Sequence, residues 1–343
     1  MLDRPYIDGQ YADVIHLQNE NGVTASLMDV GATWLSFTAP IGNEQRELLL
    51  RSRNMTAFLK QEAYLGGTIG RFANRIAKGE FVLNGEAFFL PVNNGENSLH
   101  GGDVGFDKRR WKVVDKQANS VIFSLYSADG EQGFPGNMNV EVRYQLNDDN
   151  AMTISYKATS DKACPVNLTN HAYFNLSGLT KDGIALQHEL LIAAEHYLPV
   201  NEALIPTGQM KSVKQTHFDF TRPKRVVTDF LKDKDQEIAS GYDHCFVFKP
   251  YECDGKKTIA TLASPQDDLI MRVKTTKPSM QVYTGNFLAG IEGYDKYYQN
   301  NDGIALETQY FPDAPNQEQW LQRNPVLQPG DVYQHTTVYE LDF

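Results

Sequence analysis

The sequence predicts an all-β fold with a few short helices. Three observations carry this. Several runs alternate apolar and polar residues with period two, Asn, Asp and Gly turns join some of them into hairpins, and helical patterns stay short with no sustained heptads. No strand is followed by GxGxxG or GxxxxGK[ST], so no nucleotide signature argues for a parallel α/β sheet.

The elements follow in chain order. Residues 23–28 read as a strand. Residues 56–64 read as a short helix with Thr56 as its cap. Residues 80–92 form a hairpin, because Asn84-Gly85 suits a type I′ turn between FVL and AFFL. A strand over 121–126 precedes the clearest hairpin, 138–157. There Val140, Val142, Tyr144 and Leu146 share one face, Asn147 to Asn150 turn the chain, and Met152, Ile154 and Tyr156 resume the alternation. A second short helix is predicted over 224–232, and strands over 258–262 and 269–274.

Composition narrows the function. The 343 residues carry a formal net charge of -11, which argues against a nucleic-acid partner and mildly against a membrane surface. A neutral small molecule is compatible with that charge. The three cysteines, Cys164, Cys245 and Cys253, form no CxxC pair, and their odd number suggests a reducing compartment. The opening MLDRPYIDGQYADV has no basic stretch followed by an apolar run, so no signal peptide is expected, and no apolar stretch reaches about 18 residues. A cytoplasmic location fits all three points.

Six segments are candidates for chemistry. CPVNLTNHAYFNL, 164–176, taken as one strand, puts Asn167, Thr169, His171, Tyr173 and Asn175 on one face. An uncharged row of donors and acceptors around a histidine suits a ligand covered in hydroxyls; the competing reading is a polar outer face with an incidental His. GIALETQYFPDAPN, 303–316, places Glu307 as the only carboxylate on its strand face, either a general base or a solvated surface Glu. In LGGTIGRFANRI and NNGENSLHGG, Arg71 and Arg75 sit among small and apolar residues. His100 precedes Gly101-Gly102, where backbone can approach a ligand closely. GYDHCFVF places Asp243 in a turn before an apolar strand, and PSMQVYTGNFL puts Gln281 and Tyr283 on one strand face. No HxH or HExxH pair occurs, so a metal site would need distant ligands.

Jointly, and in this order, these segments resemble the aldose 1-epimerase (galactose mutarotase) family. The resemblance rests on GRFANRI at 70–76, NNGENSLHGG at 93–102, GFDKRRW at 105–111 and DGEQGFPGN at 129–137. It continues through NLTNHAYFNLSG at 167–178, GYDH at 241–244, QVYTGNFL at 281–288 and LETQYFPDAPN at 306–316. The resemblance implies a single domain over 1–343 with the galactose mutarotase-like β-supersandwich and an open sugar cleft. It implies an isomerase that interconverts the anomers of free hexoses such as galactose and glucose, with no cofactor and no metal. In it His171 matches the general acid and Glu307 the general base. His100 and Arg75 match sugar-binding residues, His100 with a further catalytic role as a hypothesis. Asn74, Asp243 and Gln281 match hydroxyl ligands. Tyr283 matches an aromatic position beside the ring, and Tyr173, on the polar row with His171, is a further substrate-binding candidate. The stretch QEQWLQRNPVLQPG, 317–330, departs from the family pattern and puts that loop's contacts in doubt.

Two other readings compete. A hexose-6-phosphate epimerase would need a phosphate clamp, for which Arg71 with Arg75 could be invoked. A non-catalytic sugar-binding module would keep Asn74, Arg75 and Tyr283 but have no need for His171 and Glu307 together.

Overall fold

The computed structural model of the chain describes residues 1–179, 185–323 and 325–343. Three sheets organise them. The largest runs Lys112–Lys116, Ser120–Ser127, Met138–Leu146, Ala151–Ser160, Tyr333–Asp342, Ile270–Thr275, Thr258–Ala263, Glu189–Ile192 and Lys224–Arg225 in spatial order. A second runs Tyr173–Phe174, Ile304–Gln309, Ser279–Tyr283, Asp243–Val247, His196–Leu198 and Lys211–Ser212. The third is an N-terminal meander, Val14–Gln18, Thr24–Met28, Thr33–Ile41 and Glu44–Glu47.

The expected hairpins form where period two predicts them. Met138–Leu146 pairs antiparallel with Ala151–Ser160, with Val142 opposite Tyr156, and both are buried. Asn84 and Gly85 adopt φ of 53° and 84°, as a type I′ turn requires, between Glu80–Leu83 and Glu86–Phe89. Inward residues of all three sheets meet in one core. Trp34 of the meander packs on Phe174 and Tyr339, with ring centroids 5.9 and 5.6 Å away, so each sheet contributes a ring. The Tyr339 hydroxyl donates to the Leu306 carbonyl at 2.9 Å, tying the strand of Glu307 to the large sheet behind it. Among the described residues no helix is long and apolar enough to cross a membrane.

Three expectations are corrected. The first helix is only Met55–Phe58, and its cap is Asn54, whose Oδ1 accepts from the Ala57 N–H at 2.9 Å. Thr56 lies inside it. Beyond it the Gln61 side chain accepts from the Ala63 N–H and Tyr64 turns to a φ of 57°, which ends any helix. The helix over 224–232 is absent: Lys224–Arg225 is an edge strand paired with Glu189 and Leu190, followed by the 3-10 turn Val226–Asp229. Two consecutive β-branched valines and the open sheet edge favour that outcome.

The third correction concerns residues 164–176, which form three two-residue strands rather than one. Cys164–Pro165 pairs with Val326–Leu327, Thr169–Asn170 with Thr68–Ile69, and Tyr173–Phe174 with Ile304–Ala305. Between them, side chains bond to neighbouring backbone in place of a ladder.

Candidate active site

Glu307 owes its position to strand alternation. In Ile304–Gln309 every residue is buried, so the strand is covered on both faces. Glu307 stands directly opposite Gln281 of the neighbouring strand. It is 2% exposed, and its Oε2 has no hydrogen-bond partner among the described residues. An uncompensated buried carboxylate resists ionisation. Burial, with Asp243 nearby, pushes the Glu307 carboxyl well above the usual range, and Arg75 opposes the shift.

His171 sits between two of the short strands, 4% exposed. Its backbone is pinned from both sides: its N–H donates to the Gly67 carbonyl at 3.0 Å, and its carbonyl accepts from the Gly66 N–H at 2.9 Å. Its Nε2 lies 3.6 Å from Oε1 of Glu307, while its Nδ1 is buried without a partner among the described residues. Burial pushes the imidazole down to about 4.

His100 and Asn74 are locked to one another. Both have positive φ, 53° and 69°. The His100 N–H donates to the Asn74 carbonyl at 3.2 Å, and the Asn74 backbone N–H donates to Nδ1 of His100 at 3.1 Å. A backbone N–H can only donate, so Nδ1 must be the acceptor and the ring proton resides on Nε2. His100 therefore offers a ligand an N–H. Gly101 follows at a φ of 89°, and a Cβ there would stand 2.0 Å from the Gly70 carbonyl oxygen. The close approach expected at Gly101 is thus to backbone rather than to a ligand.

Around these three residues lies a cleft of about 660 Å³. Asn74, Arg75, Tyr173, Asp243 and Tyr283 share its wall with His100, His171 and Glu307. Arg75 donates to Oδ1 of Asn94 at 3.0 Å and faces Asp243 at 3.5 Å. Asn74 accepts from the Arg75 N–H at 2.8 Å, leaving its amide N–H groups for a ligand. Asp243 is the first residue of the strand Asp243–Val247 rather than part of a turn. Gln281 stands behind it and donates to its Oδ1 at 2.6 Å, so its contact in the structure is to Asp243. The Tyr283 hydroxyl accepts from the Phe287 N–H at 3.1 Å.

The other members of the polar row do not reach the cleft. Asn167 bonds the Ala73 carbonyl and the Tyr310 N–H, Thr169 donates to the Thr308 carbonyl, and Asn175 to the Asp302 carbonyl. Buried backbone groups claim these side chains, so the hydroxyl-binding face predicted for 164–176 reduces to His171 and Tyr173. Arg71 is also elsewhere. It is 2% exposed and donates to Oγ and the carbonyl of Ser127 and to the carbonyls of Ala128, Pro135 and Gly136. A guanidinium so fully engaged is no phosphate clamp.

The sequence reading missed Tyr64, Asn94 and Phe287, which line the cleft. Asn94 lies inside the NNGENSLHGG segment and could have been drawn from it. Tyr64 and Phe287 are on loops, where no periodicity marks an inward face. In the departing stretch, residue 324 and the side chains of 321–323 lie outside the described residues, and the flanking Trp320 packs edge-on against Phe311 at 5.2 Å.

His100, His171 and Glu307 form the one His and carboxylate cluster among the described residues that could hold a metal, with ligand atoms within 4.8 Å of one another. The His100 tautomer counts against it, because Nε2 carries the proton and the Nδ1 lone pair already accepts from Asn74. The arrangement fits proton transfer better: a buried carboxyl and a buried imidazole within reach of one small ligand, beside a fixed N–H donor.

Known proteins resemble this chain in sequence and in fold. A family model described as aldose 1-epimerase matches residues 13–340. An aldose 1-epimerase of Escherichia coli (strain K12) is 44% identical over 335 residues, 97% of this chain and 96% of that protein. A galactose mutarotase of Homo sapiens is 41% identical over 86% of this chain and 83% of its own length. Among solved structures, an aldose epimerase homologue from C. elegans superposes with a TM-score of 0.88 at 32% identity, covering 96% of this chain and 99% of that one. A galactose 1-epimerase from Lactobacillus acidophilus NCFM superposes with a TM-score of 0.84 at 28% identity, covering 98% and 96%.

Proposed function

The chain belongs to the aldose 1-epimerase family, and from that premise we propose that it interconverts the α and β anomers of free hexoses, galactose and glucose among them. Glu307 is the base and His171 the acid. One observation carries the reading. A buried carboxyl and a buried imidazole stand 3.6 Å apart on the wall of a cleft that a hexose can enter. O1 and O5 of a pyranose are bonded to the same carbon, so the two groups that serve them must lie close together.

The steps balance without a cofactor. Glu307 takes the proton of the C1 hydroxyl. The C1–O5 bond breaks, its electron pair goes to O5, and His171 gives O5 a proton. The aldehyde turns about C1–C2, and closure on the other face runs the same transfers backwards. The N–H that Asn74 fixes on Nε2 of His100 can meet the oxygen at C1, where charge changes during opening. Asn74, Arg75 and Asp243 hold the remaining hydroxyls, Gln281 braces Asp243, and Tyr173 and Tyr283 offer aromatic surface. A non-catalytic module has no use for a buried carboxyl that sets one oxygen beside an imidazole and leaves the other unpartnered, which costs stability.

The same reading takes residues 1–343 as one domain, supported by a hydrophobic core that runs from Ile15 to Leu341. It places the protein in the cytoplasm, supported by the cysteine usage. The test is polarimetric. Freshly dissolved α-galactose and α-glucose should relax to equilibrium rotation faster with catalytic amounts of the protein, and Glu307→Gln should remove the acceleration. Relaxation at the spontaneous rate with folded wild-type protein would sink the reading.

A further inference from the structure

Tyr64 stands where the proposed acid–base chemistry gives it no part. It occupies the left-handed region at a φ of 57°, an uncommon conformation for an aromatic residue. The turn around it is held by the Gly67 N–H, which donates to the Tyr64 carbonyl at 2.9 Å. Gly66 and Gly67 then exchange backbone hydrogen bonds with His171 itself. Gly66, at a φ of 68°, lies so close to Trp34 that a Cβ would stand 2.1 Å from its carbonyl oxygen. The turn that presents Tyr64 is thus built onto the backbone of His171 and cannot drift from it.

The result is a ring set against two imidazoles. The Tyr64 ring lies 5.8 Å from that of His171, with planes 21° apart, and 4.6 Å from that of His100 at 64°. We propose that Tyr64 is a positioning residue for the acid: its ring face aligns the His171 imidazole and favours the imidazolium that must protonate O5. This rests on His171 being the acid.

The surroundings explain the need. The groups facing His171 are Glu307, His100, Asp243, Tyr173, Tyr283 and Tyr64. Burial opposes its positive charge, and Asp243 and a backbone bond only partly relieve that. An aromatic face within about 6 Å of a cation attracts it through the ring quadrupole, most strongly where water is excluded. Tyr64 supplies such a face without adding a charge.

The experiment varies the quadrupole and keeps the shape. Tyr64 is replaced by phenylalanine and then by mono-, di- and trifluorinated phenylalanine, and kcat/KM for α-galactose is measured for each. Tyr64→Phe should stay within about twofold of wild type, because the ring face remains. The fluorinated series should fall stepwise, by about three- to thirtyfold in total. A flat series, or a loss in Tyr64→Phe as large as in Tyr64→Leu, overturns the inference; the second result would assign the effect to the hydroxyl. His171→Asn is measured beside them. If it is inactive and the series is flat, only the role of Tyr64 fails. If it keeps wild-type activity, the acid assignment itself fails.

Discussion

Nε2 of His171 lies 3.6 Å from Oε1 of Glu307, and both side chains are almost wholly buried. Burial raises the carboxyl and lowers the imidazole, so each group disfavours its own charged form. Between the two shifted values the pair holds a single proton. That proton resides either on Glu307, with both groups neutral, or on His171, with both charged. In the proposed reaction the second arrangement is the one that opens a pyranose, and sugar hydroxyls bound beside Arg75 and Asp243 would favour it. The pair therefore works as a unit, and its titration belongs to both residues.

Removing either member should be severe. Glu307→Gln and His171→Asn are each expected to lower kcat by about 10²–10⁴, the range for losing one general acid or base. Both variants should fold, since Nδ1 of His171 and Oε2 of Glu307 are buried without a hydrogen-bond partner among the described residues. Circular dichroism and polarimetry on the same samples check this. Near-wild-type mutarotation by either folded variant removes that residue from the chemistry.

The pH profile of kcat/KM should be a bell. As pH falls, a second proton enters the pair and Glu307 can no longer act as base. As pH rises, the single proton leaves and His171 can no longer act as acid. The acid limb should vanish from the residual activity of Glu307→Gln and the alkaline limb from that of His171→Asn, provided chemistry limits the rate. A limb that survives in both variants belongs to some other group.

Stability should move against activity. The folded Glu307 carboxyl is raised above its ordinary value of 4.5. A group raised on folding contributes its stability below the unfolded value and loses it as pH rises through the folded value. Gln has no such loss. Glu307→Gln should therefore match wild type near pH 4.5 and exceed it at pH 9 by about 2–5 °C in Tm. Equal Tm differences at both pH values would show that Glu307 is not strained by burial.

These outcomes also separate what the sequence shows from what it hides. Glu307 and Tyr283 were legible because each lies on a regular strand, where period two assigns a face. His171 was legible, but its neighbours Asn167, Thr169 and Asn175 were not, because alternation over three short strands cannot say which side chains buried backbone will claim. Tyr64 and the His100 tautomer rest on positive-φ turns whose contacts cross more than twenty residues of chain. The segment GRFANRI divides its side chains, with Asn74 and Arg75 on the cleft wall and Arg71 turned away from it. Arg71 instead bonds the Pro135 and Gly136 carbonyls of DGEQGFPGN.

A chelator should leave the rate unchanged. The His100 proton lies on Nε2 because the Asn74 N–H occupies Nδ1, so binding an ion through His100 would break that bond or change the tautomer. Dialysis against EDTA followed by polarimetry is the check. Loss of activity, restored by a divalent ion, would turn His100, His171 and Glu307 into a metal site.

Arg71 gives the last prediction, because it was the residue on which a phosphosugar reading depended. Its guanidinium meets five oxygens, of which four are backbone carbonyls: those of Ser127, Ala128, Pro135 and Gly136. No carboxylate accepts any of these bonds, so within them the buried charge is met by four peptide carbonyls and the Ser127 hydroxyl. Arg71→Ala would leave those acceptors without donors. A cost of about 3 kcal/mol or more follows, which lowers Tm by about 4 °C or more in a chain of this length. The cleft should be unaffected at temperatures where the variant is folded, because none of these oxygens belongs to a residue that lines it. Galactose should therefore keep its advantage over galactose 6-phosphate in both proteins. Competition between the two sugars, measured at 10 °C beside thermal melts, decides the matter. A preference for the phosphosugar that collapses in Arg71→Ala, with Tm unchanged, would mean that Arg71 turns to the ligand and that the substrate carries a phosphate.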